Sequence, residues 1–150
     1  MGLETAPGWA RDLLARARVA RLAYLDGDDR PRVLPVTFAL AEGFLWTAID
    51  EKPKQRPEPA RVEYLRRRPE AALVVDEYDD DWTRLMWVQL LGRVEVEALA
   101  PGASTAALDA LAAKYSQYAR AAPPGPLLRL EVERVLHWRA AGGSGANDLH

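Results

Sequence analysis

Two lysines separated by a single proline are the side chains of this sequence best suited to hold a phosphate group. The triplet Lys52-Pro53-Lys54 contains two of only three lysines among 20 basic residues, and it lies between a predicted strand and a predicted helix. In that position, two ammonium groups and the amides at a helix N-terminus can converge on one phosphate. The charge pattern alone favours two solvated lysines in a loop, so the residues by themselves leave both interpretations open.

Other constellations that carry chemistry are missing from the sequence. The chain has no cysteine, which excludes disulfides, thiol nucleophiles, zinc ribbons and iron–sulfur ligation. His137 and His150 are the only histidines, too few for a His-ligated metal site or a Ser-His-Asp triad. The acidic stretch 76–81 is expected to be a solvated turn without a metal. No Gly-x-Gly-x-x-Gly or Walker pattern occurs, which argues against a dinucleotide fold or an ATPase.

The composition predicts one globular domain with a packed core. Hydrophobic residues make up 49% of the 150 residues, and 20 basic against 22 acidic side chains leave a net charge of -2. Such a balance disfavours binding to nucleic acid or to an anionic membrane. The N-terminus has no signal-peptide pattern and no apolar run is long enough to span a membrane, so a cytoplasmic location is expected. Residues 1–141 are predicted to form the domain, and the Gly-rich residues 142–150 a flexible tail.

Short runs of β-forming residues alternate with turn signals along the domain and are interrupted by three helical segments. The predicted strands cover residues 19–25, 31–40, 44–49, 71–78, 85–96 and 127–138, and the predicted helices cover 7–18, 60–68 and 104–118. The first three strands read as a meander. Pro35 cannot donate to a strand ladder, so its position indicates an edge, a bulge or a contact between backbone and ligand. Gly92 suggests a bend, and the pattern predicts a closed antiparallel barrel with helices outside it.

Four segments resemble one known family. They are Leu34–Phe38, Thr47–Lys54, Val75–Arg84 and Trp87–Val88. They are similar to the pyridoxamine-phosphate-oxidase-like, FMN-binding split barrels, and more narrowly to the branch of deazaflavin-dependent oxidoreductases. The similarity runs from about Val19 to Trp138. It implies a mainly β (α+β) fold, a six-stranded antiparallel split β-barrel with flanking helices, and a homodimer with cofactor sites at its interface.

The resemblance also implies which residues hold the cofactor. It assigns the phosphate to Lys52 and Lys54, the ring system to Pro35, Val36, Thr37, Thr47 and Ala48, and the far wall, contributed by the opposite subunit, to Arg84 and Trp87. A further hypothesis gives the acidic tail of the deazaflavin coenzyme to Arg56 and Arg61. For any single tryptophan, packing in the core or in an interface is the alternative interpretation.

The expected function is therefore that of an oxidoreductase. It binds the deazaflavin coenzyme F-420 and transfers hydride to a small unsaturated or carbonyl-like molecule. Because the cofactor supplies the chemistry, no side chain is assigned as catalytic. Two alternatives remain open: an FMN-binding oxidase or reductase of the same fold, and a cofactor-binding protein without turnover.

Overall fold

The computed structural model describes residues 2–49, 59–99 and 105–140, which form one seven-stranded antiparallel sheet with helices packed against it. The strands are β1 (Ala20–Leu25), β2 (Pro31–Val36), β3 (Phe38–Ala41), β4 (Phe44–Ala48), β5 (Glu70–Glu77), β6 (Met86–Glu97) and β7 (Leu127–Arg139). The helices are α1 (Gly8–Arg16), α2 (Ala60–Arg67), α3 (Thr105–Lys114) and α4 (Ser116–Arg120), with short 3-10 turns at Leu3–Thr5 and Trp82–Arg84. The mainly β class with flanking helices is confirmed. The predicted tail 142–150 lies outside the described residues.

The predicted count of six strands is wrong because the second run divides at Thr37. Its first half, β2, pairs with β1, and its second half, β3, pairs with β4. The strand order is β2-β1-β5-β6-β7-β4-β3, so Thr37 joins the two terminal strands of the sheet and curls it. The predicted meander is accordingly two hairpins at opposite ends of the sheet. Val36 and Phe38 are both buried, and this unbroken alternation hides the division from a sequence pattern.

Pro35 occupies a place where its missing N–H is tolerated. It belongs to β2, which stands at one end of the strand order, and it is opposite Arg21 of β1. A proline in a terminal strand removes no bond from the interior of the sheet. Of the three interpretations that the sequence allowed for Pro35, the edge strand agrees with the topology.

Two clusters of buried residues hold the sheet and the helices together. The main cluster lies inside the curl of the sheet and contains Leu13 and Leu14 of α1, together with Val62 and Leu65 of α2. A smaller cluster lies between the opposite face of the sheet and α3, where Trp46 meets residues of that helix. Along β4 the side chains alternate between the two clusters, as a period of two requires.

The third predicted helix is interrupted at Tyr115, where the backbone is extended (φ -122°, ψ 119°). The hydroxyl group of Tyr115 accepts a hydrogen bond from the Phe38 amide (3.1 Å) and donates one to the Arg18 carbonyl (2.9 Å). These two bonds connect the helices to β3 and to the end of α1. Residues 7–18 and 60–68, by contrast, contain α1 and α2 as predicted. No helix within the described ranges is long and apolar enough to cross a membrane.

Candidate functional site

A pocket of about 180 Å³ opens at the place where β2 bends into β3. Its walls come from the bend, the end of β4, the residue before β1 and the first turn of α2. The lining residues are Val19, Pro35, Val36, Thr37, Ala48 and Arg61. Four of them are predicted site residues: the consecutive Pro35, Val36 and Thr37, and Ala48 from the end of β4, which the fold brings to the same pocket.

The bend itself is held by a hydrogen bond. The Thr37 hydroxyl lies 2.7 Å from the hydroxyl of Tyr118 on α4, and the next residue, Phe38, donates its amide to Tyr115. These two bonds tie the bend residue Thr37 and the residue after it to Tyr118 and Tyr115, and so hold the floor of the pocket in place. Its side chains are short, so that a flat ring system could approach the backbone closely.

Among the described residues, Arg61 is the one charged residue that lines this pocket. It is the second residue of α2, and only 9% of its surface is exposed. The start of a helix carries a partial positive charge and free N–H groups, and a guanidinium group adds a planar set of donors suited to phosphate or carboxylate. The donor set therefore fits an anionic group, and the short apolar side chains beside it fit a ring.

Thr47 lies close in sequence to the pocket and faces away from it. It is opposite Phe38 and Leu128, both of which belong to the main core cluster, whereas its neighbour Ala48 lines the pocket. Thr47 is 3% exposed, and its hydroxyl group has no hydrogen-bond partner among the described residues. In this conformation, the pocket wall at β4 is formed by Ala48 rather than Thr47.

Trp87 and Arg84 are distant from the pocket within one chain. Following the strand register from Pro35 leads through Arg21 and Val74 to Gln89, two residues from Trp87. Three strand spacings amount to roughly 14 Å, too far for the Trp87 ring to contact the same pocket. Arg84 lies in the exposed turn after β5, with its Nε 3.9 Å from an Asp79 carboxylate oxygen.

The acidic stretch before this turn is held by bonds of its own. Asp81 accepts hydrogen bonds from the Thr83 amide (3.1 Å) and hydroxyl (2.7 Å), and Asp79 accepts one from the Asp81 amide (2.8 Å). The bonds from Thr83 lower the pKa of the Asp81 carboxyl. These carboxylates act as turn and cap residues.

Lys52, Lys54 and Arg56 lie outside the described residues. The segment that carries them connects Ala48 to Arg61 along the chain, and both of these residues line the pocket. Sequence reasoning gave Arg61 only a secondary role, in binding an acidic tail, and did not single out Val19. A signal for Arg61 was available, because it lies four residues before the buried Leu65 and next to the buried Val62. A basic residue on the core-facing side of an amphipathic helix is a candidate ligand-binding residue.

Comparison with known proteins gives a family and a set of similar folds. The family model described as pyridoxamine 5'-phosphate oxidase matches residues 8–139. No curated protein sequence matches the chain. A conserved hypothetical protein from Mycobacterium tuberculosis has a similar structure, with a TM-score of 0.73, 18% sequence identity and 95% of each chain covered.

Two further solved structures with the same fold are described by their ligands. A FAD-binding protein from Mesorhizobium loti has a TM-score of 0.67 and 22% identity, over 88% of this chain and 93% of that one. A heme-binding protein from Mycobacterium smegmatis has a TM-score of 0.63 and 22% identity, over 92% of this chain and 57% of that one. At these identities, the similarity establishes a shared fold.

Proposed function

This chain belongs to the pyridoxamine 5'-phosphate oxidase family, and we propose that it binds a flavin-type cofactor in the pocket at the β2–β3 bend and acts as an oxidoreductase. The observation that carries the proposal is the joint placement of Arg61 and four small predicted ring contacts around one pocket. The guanidinium group of Arg61 and the N–H groups at the start of α2 present donors to this pocket, and such donors suit a phosphate.

In the proposed arrangement, Arg61 and the segment that carries Lys52 and Lys54 hold the phosphate, while Pro35, Val36 and Ala48 lie against the ring. The deazaflavin coenzyme F-420 is the proposed cofactor, as the sequence resemblance implies, and FMN is the alternative. When bound, either cofactor supplies the redox chemistry. The protein binds and orients the ring and keeps water from one of its faces. The proposed substrate is a small unsaturated or carbonyl-like molecule that accepts hydride.

We further propose that the site is shared between two copies of the chain. Pockets that hold a cofactor-sized ligand typically measure about 300–1,000 Å³, and the described residues of one chain enclose about 180 Å³. The further wall is proposed to come from a second copy, with its Trp87 and Arg84 on the far side of the ring. This proposal reconciles the separation of Trp87 from the pocket, roughly 14 Å across three strand spacings of one chain, with a role at the cofactor.

Cofactor titration tests the proposal. Purified protein is titrated with F-420, FMN, FAD and hemin, and absorbance and fluorescence report binding. We expect F-420 to bind most tightly of the four. If FMN binds most tightly instead, the FMN alternative is correct. Preference for hemin, or no binding of any of the four, would contradict a flavin-type site. Tight binding of F-420 without reduction of any substrate in a panel would support a cofactor-binding protein without turnover.

Arg61→Gln tests the phosphate assignment. A charged hydrogen bond contributes about 1.5–3 kcal/mol, so the dissociation constant for FMN or F-420 should rise about 10- to 100-fold. Riboflavin, which lacks the phosphate, should bind the variant and the wild type equally. The matched control is Arg67→Gln, because Arg67 is an exposed arginine on the same helix. An equal loss for riboflavin would show that Arg61 acts on the shape of the pocket instead.

A further inference from the structure

We propose that a second pocket, between α1, β3 and α3, binds a carboxylate that carries an aliphatic tail. This pocket has a volume of about 500 Å³ and shares no lining residue with the pocket at the β2–β3 bend. Its apolar lining consists of Leu14, Ala15, Ala39, Leu40, Ala110 and Ala113. Two cations, Arg18 and Lys114, complete it.

Lys114 is held in the wall of this pocket by the surrounding chain. Its Nζ donates a hydrogen bond to the Leu14 carbonyl (3.2 Å) and lies 3.6 Å from the centre of the Phe38 ring. An ammonium group has three N–H donors, and one of them is used by the carbonyl. The group is thus fixed in position with donor capacity left for a ligand.

Arg18 brings a second positive charge to the same place. Its guanidinium carbon lies 4.7 Å from the centre of the Tyr115 ring, and Lys114 Nζ lies 5.6 Å from that centre. In the described part of the chain, neither cation forms an ion pair. Burial, and then the charge of Arg18, lower the pKa of Lys114 to about 8. An anion between the two cations would relieve their repulsion and offset the burial of the ammonium group.

The lining decides the class of anion. Arginine offers a planar fork and lysine a point charge, a combination that accepts a carboxylate. The other wall residues are alanine and leucine, which offer apolar surface without hydrogen-bonding side chains. A fully polar anion would leave that surface uncovered, whereas a medium-length aliphatic chain would cover it.

Octanoate is the probe that tests this site, with 1-octanol and acetate as matched controls. Calorimetric titration should show octanoate binding at least tenfold more tightly than either control, because only octanoate presents both a charge and a tail. Arg18→Gln and Lys114→Met should each weaken octanoate binding about tenfold, and Arg67→Gln, a change at an exposed position on α2, which does not line this pocket, should leave it unchanged. Equal affinity for octanol, unchanged affinity in both variants, or no binding at millimolar octanoate would overturn the proposal.

The pH dependence gives an independent readout. The charged or titratable groups that face Lys114 are Arg18, at the end of α1, and the Tyr115 phenol, whose pKa is raised by burial so that it stays neutral near pH 8. Octanoate affinity should therefore be nearly constant from about pH 6, where the carboxylate is ionised, up to the Lys114 pKa of about 8, and fall above it as Lys114 loses its proton. The chain has three lysines, so ¹³C-dimethylation yields few signals to assign. Octanoate should raise the pKa of the Lys114 signal, and binding without that change would place the ligand elsewhere.

Discussion

Arg61 occupies a buried position of α2, where an apolar side chain is usual. Val62 and Leu65 are fully buried in the main core, and Arg61 itself is nearly so. Arg61 also lines the pocket at the β2–β3 bend, whereas Arg66 and Arg67 are exposed. Such a residue is therefore more informative about function than the exposed arginines of the same helix. The composition of the chain does not distinguish Arg61, because most of its basic residues are arginines.

Gly92 is important for the opposite reason, because it has no side chain. The register between β6 and β7 shifts between Leu91 and Gly92, so that Glu133 is an extra residue on β7. A Cβ atom at Gly92 would lie 2.0 Å from the Glu131 carbonyl oxygen. The bend suggested by the sequence is thus a β-bulge that admits only glycine without movement of the backbone.

Gly92→Ala should destabilise the protein by about 1–3 kcal/mol, since the clash is with backbone and cannot be relieved by a side-chain rotation. Urea unfolding measures the change. Gly8→Ala is the matched control, because a Cβ at Gly8 in α1 meets no atom within 4 Å beyond its chain neighbours and its own helix backbone, and this variant should be stabilised by about 0.4–1 kcal/mol. Equal stability of the two variants would mean that the bulge can shift without cost.

The positions of the strands were easier to predict from the sequence than the pairing between them. Alternation of apolar and polar residues in the sequence located each β-rich run within a few positions. It could not show that one run supplies both end strands of the sheet, because register and pairing depend on contacts between distant segments. The same limit applies to α3 and α4, where a helical pattern continued through Tyr115 although tertiary hydrogen bonds hold that residue in an extended conformation.

Tyr115→Phe tests how much the connection between these helices and β3 contributes. The variant leaves the buried Phe38 amide without its acceptor, which should cost about 1–3 kcal/mol, and hydrogen exchange at that amide should accelerate. Tyr118→Phe removes the bond to the Thr37 hydroxyl and should leave exchange at Phe38 slow. If Phe38 exchanges at the same rate in wild type and Tyr115→Phe, the phenol is not the acceptor that protects it.

At the scale of the whole molecule, the site could be predicted only in part from one sequence. Pro35 through Thr37 and Ala48 come together because the β2–β3 bend and the end of β4 meet in the fold. Trp87 does not join them, because three strand spacings intervene. The proposed contacts of Trp87 belong to a second copy of the chain, and the pattern of one sequence does not describe contacts between copies.

The outward face of the sheet is the surface on which that copy is proposed to dock. Core residues of β1, β5 and β6 point to the inside of the curl, so their neighbours along each strand form a shared outer face. The register places on this face Val33, Pro35, Ala23, Ala72, Val74, Trp87, Leu91 and Trp138. Val33 is 66% exposed, and Pro35 belongs both to this face and to the pocket. A two-fold partner on this surface would place each Trp87 near the other copy's pocket.

We therefore expect the wild type to sediment at twice the 16.7 kDa mass of one chain at micromolar concentration, and Val33→Glu to sediment as a monomer. Because Val33 is largely exposed in one chain, glutamate there has little packing to disturb, and the melting temperature of the variant monomer reports its fold. Ala119→Glu introduces the same charge at an exposed position on α4 and should leave the dimer intact.

Cofactor affinity should fall in Val33→Glu and in Trp87→Ala, and stay unchanged in Ala119→Glu. A wild-type protein that sediments as a folded monomer and still binds its cofactor tightly would show that the pocket is completed within one chain.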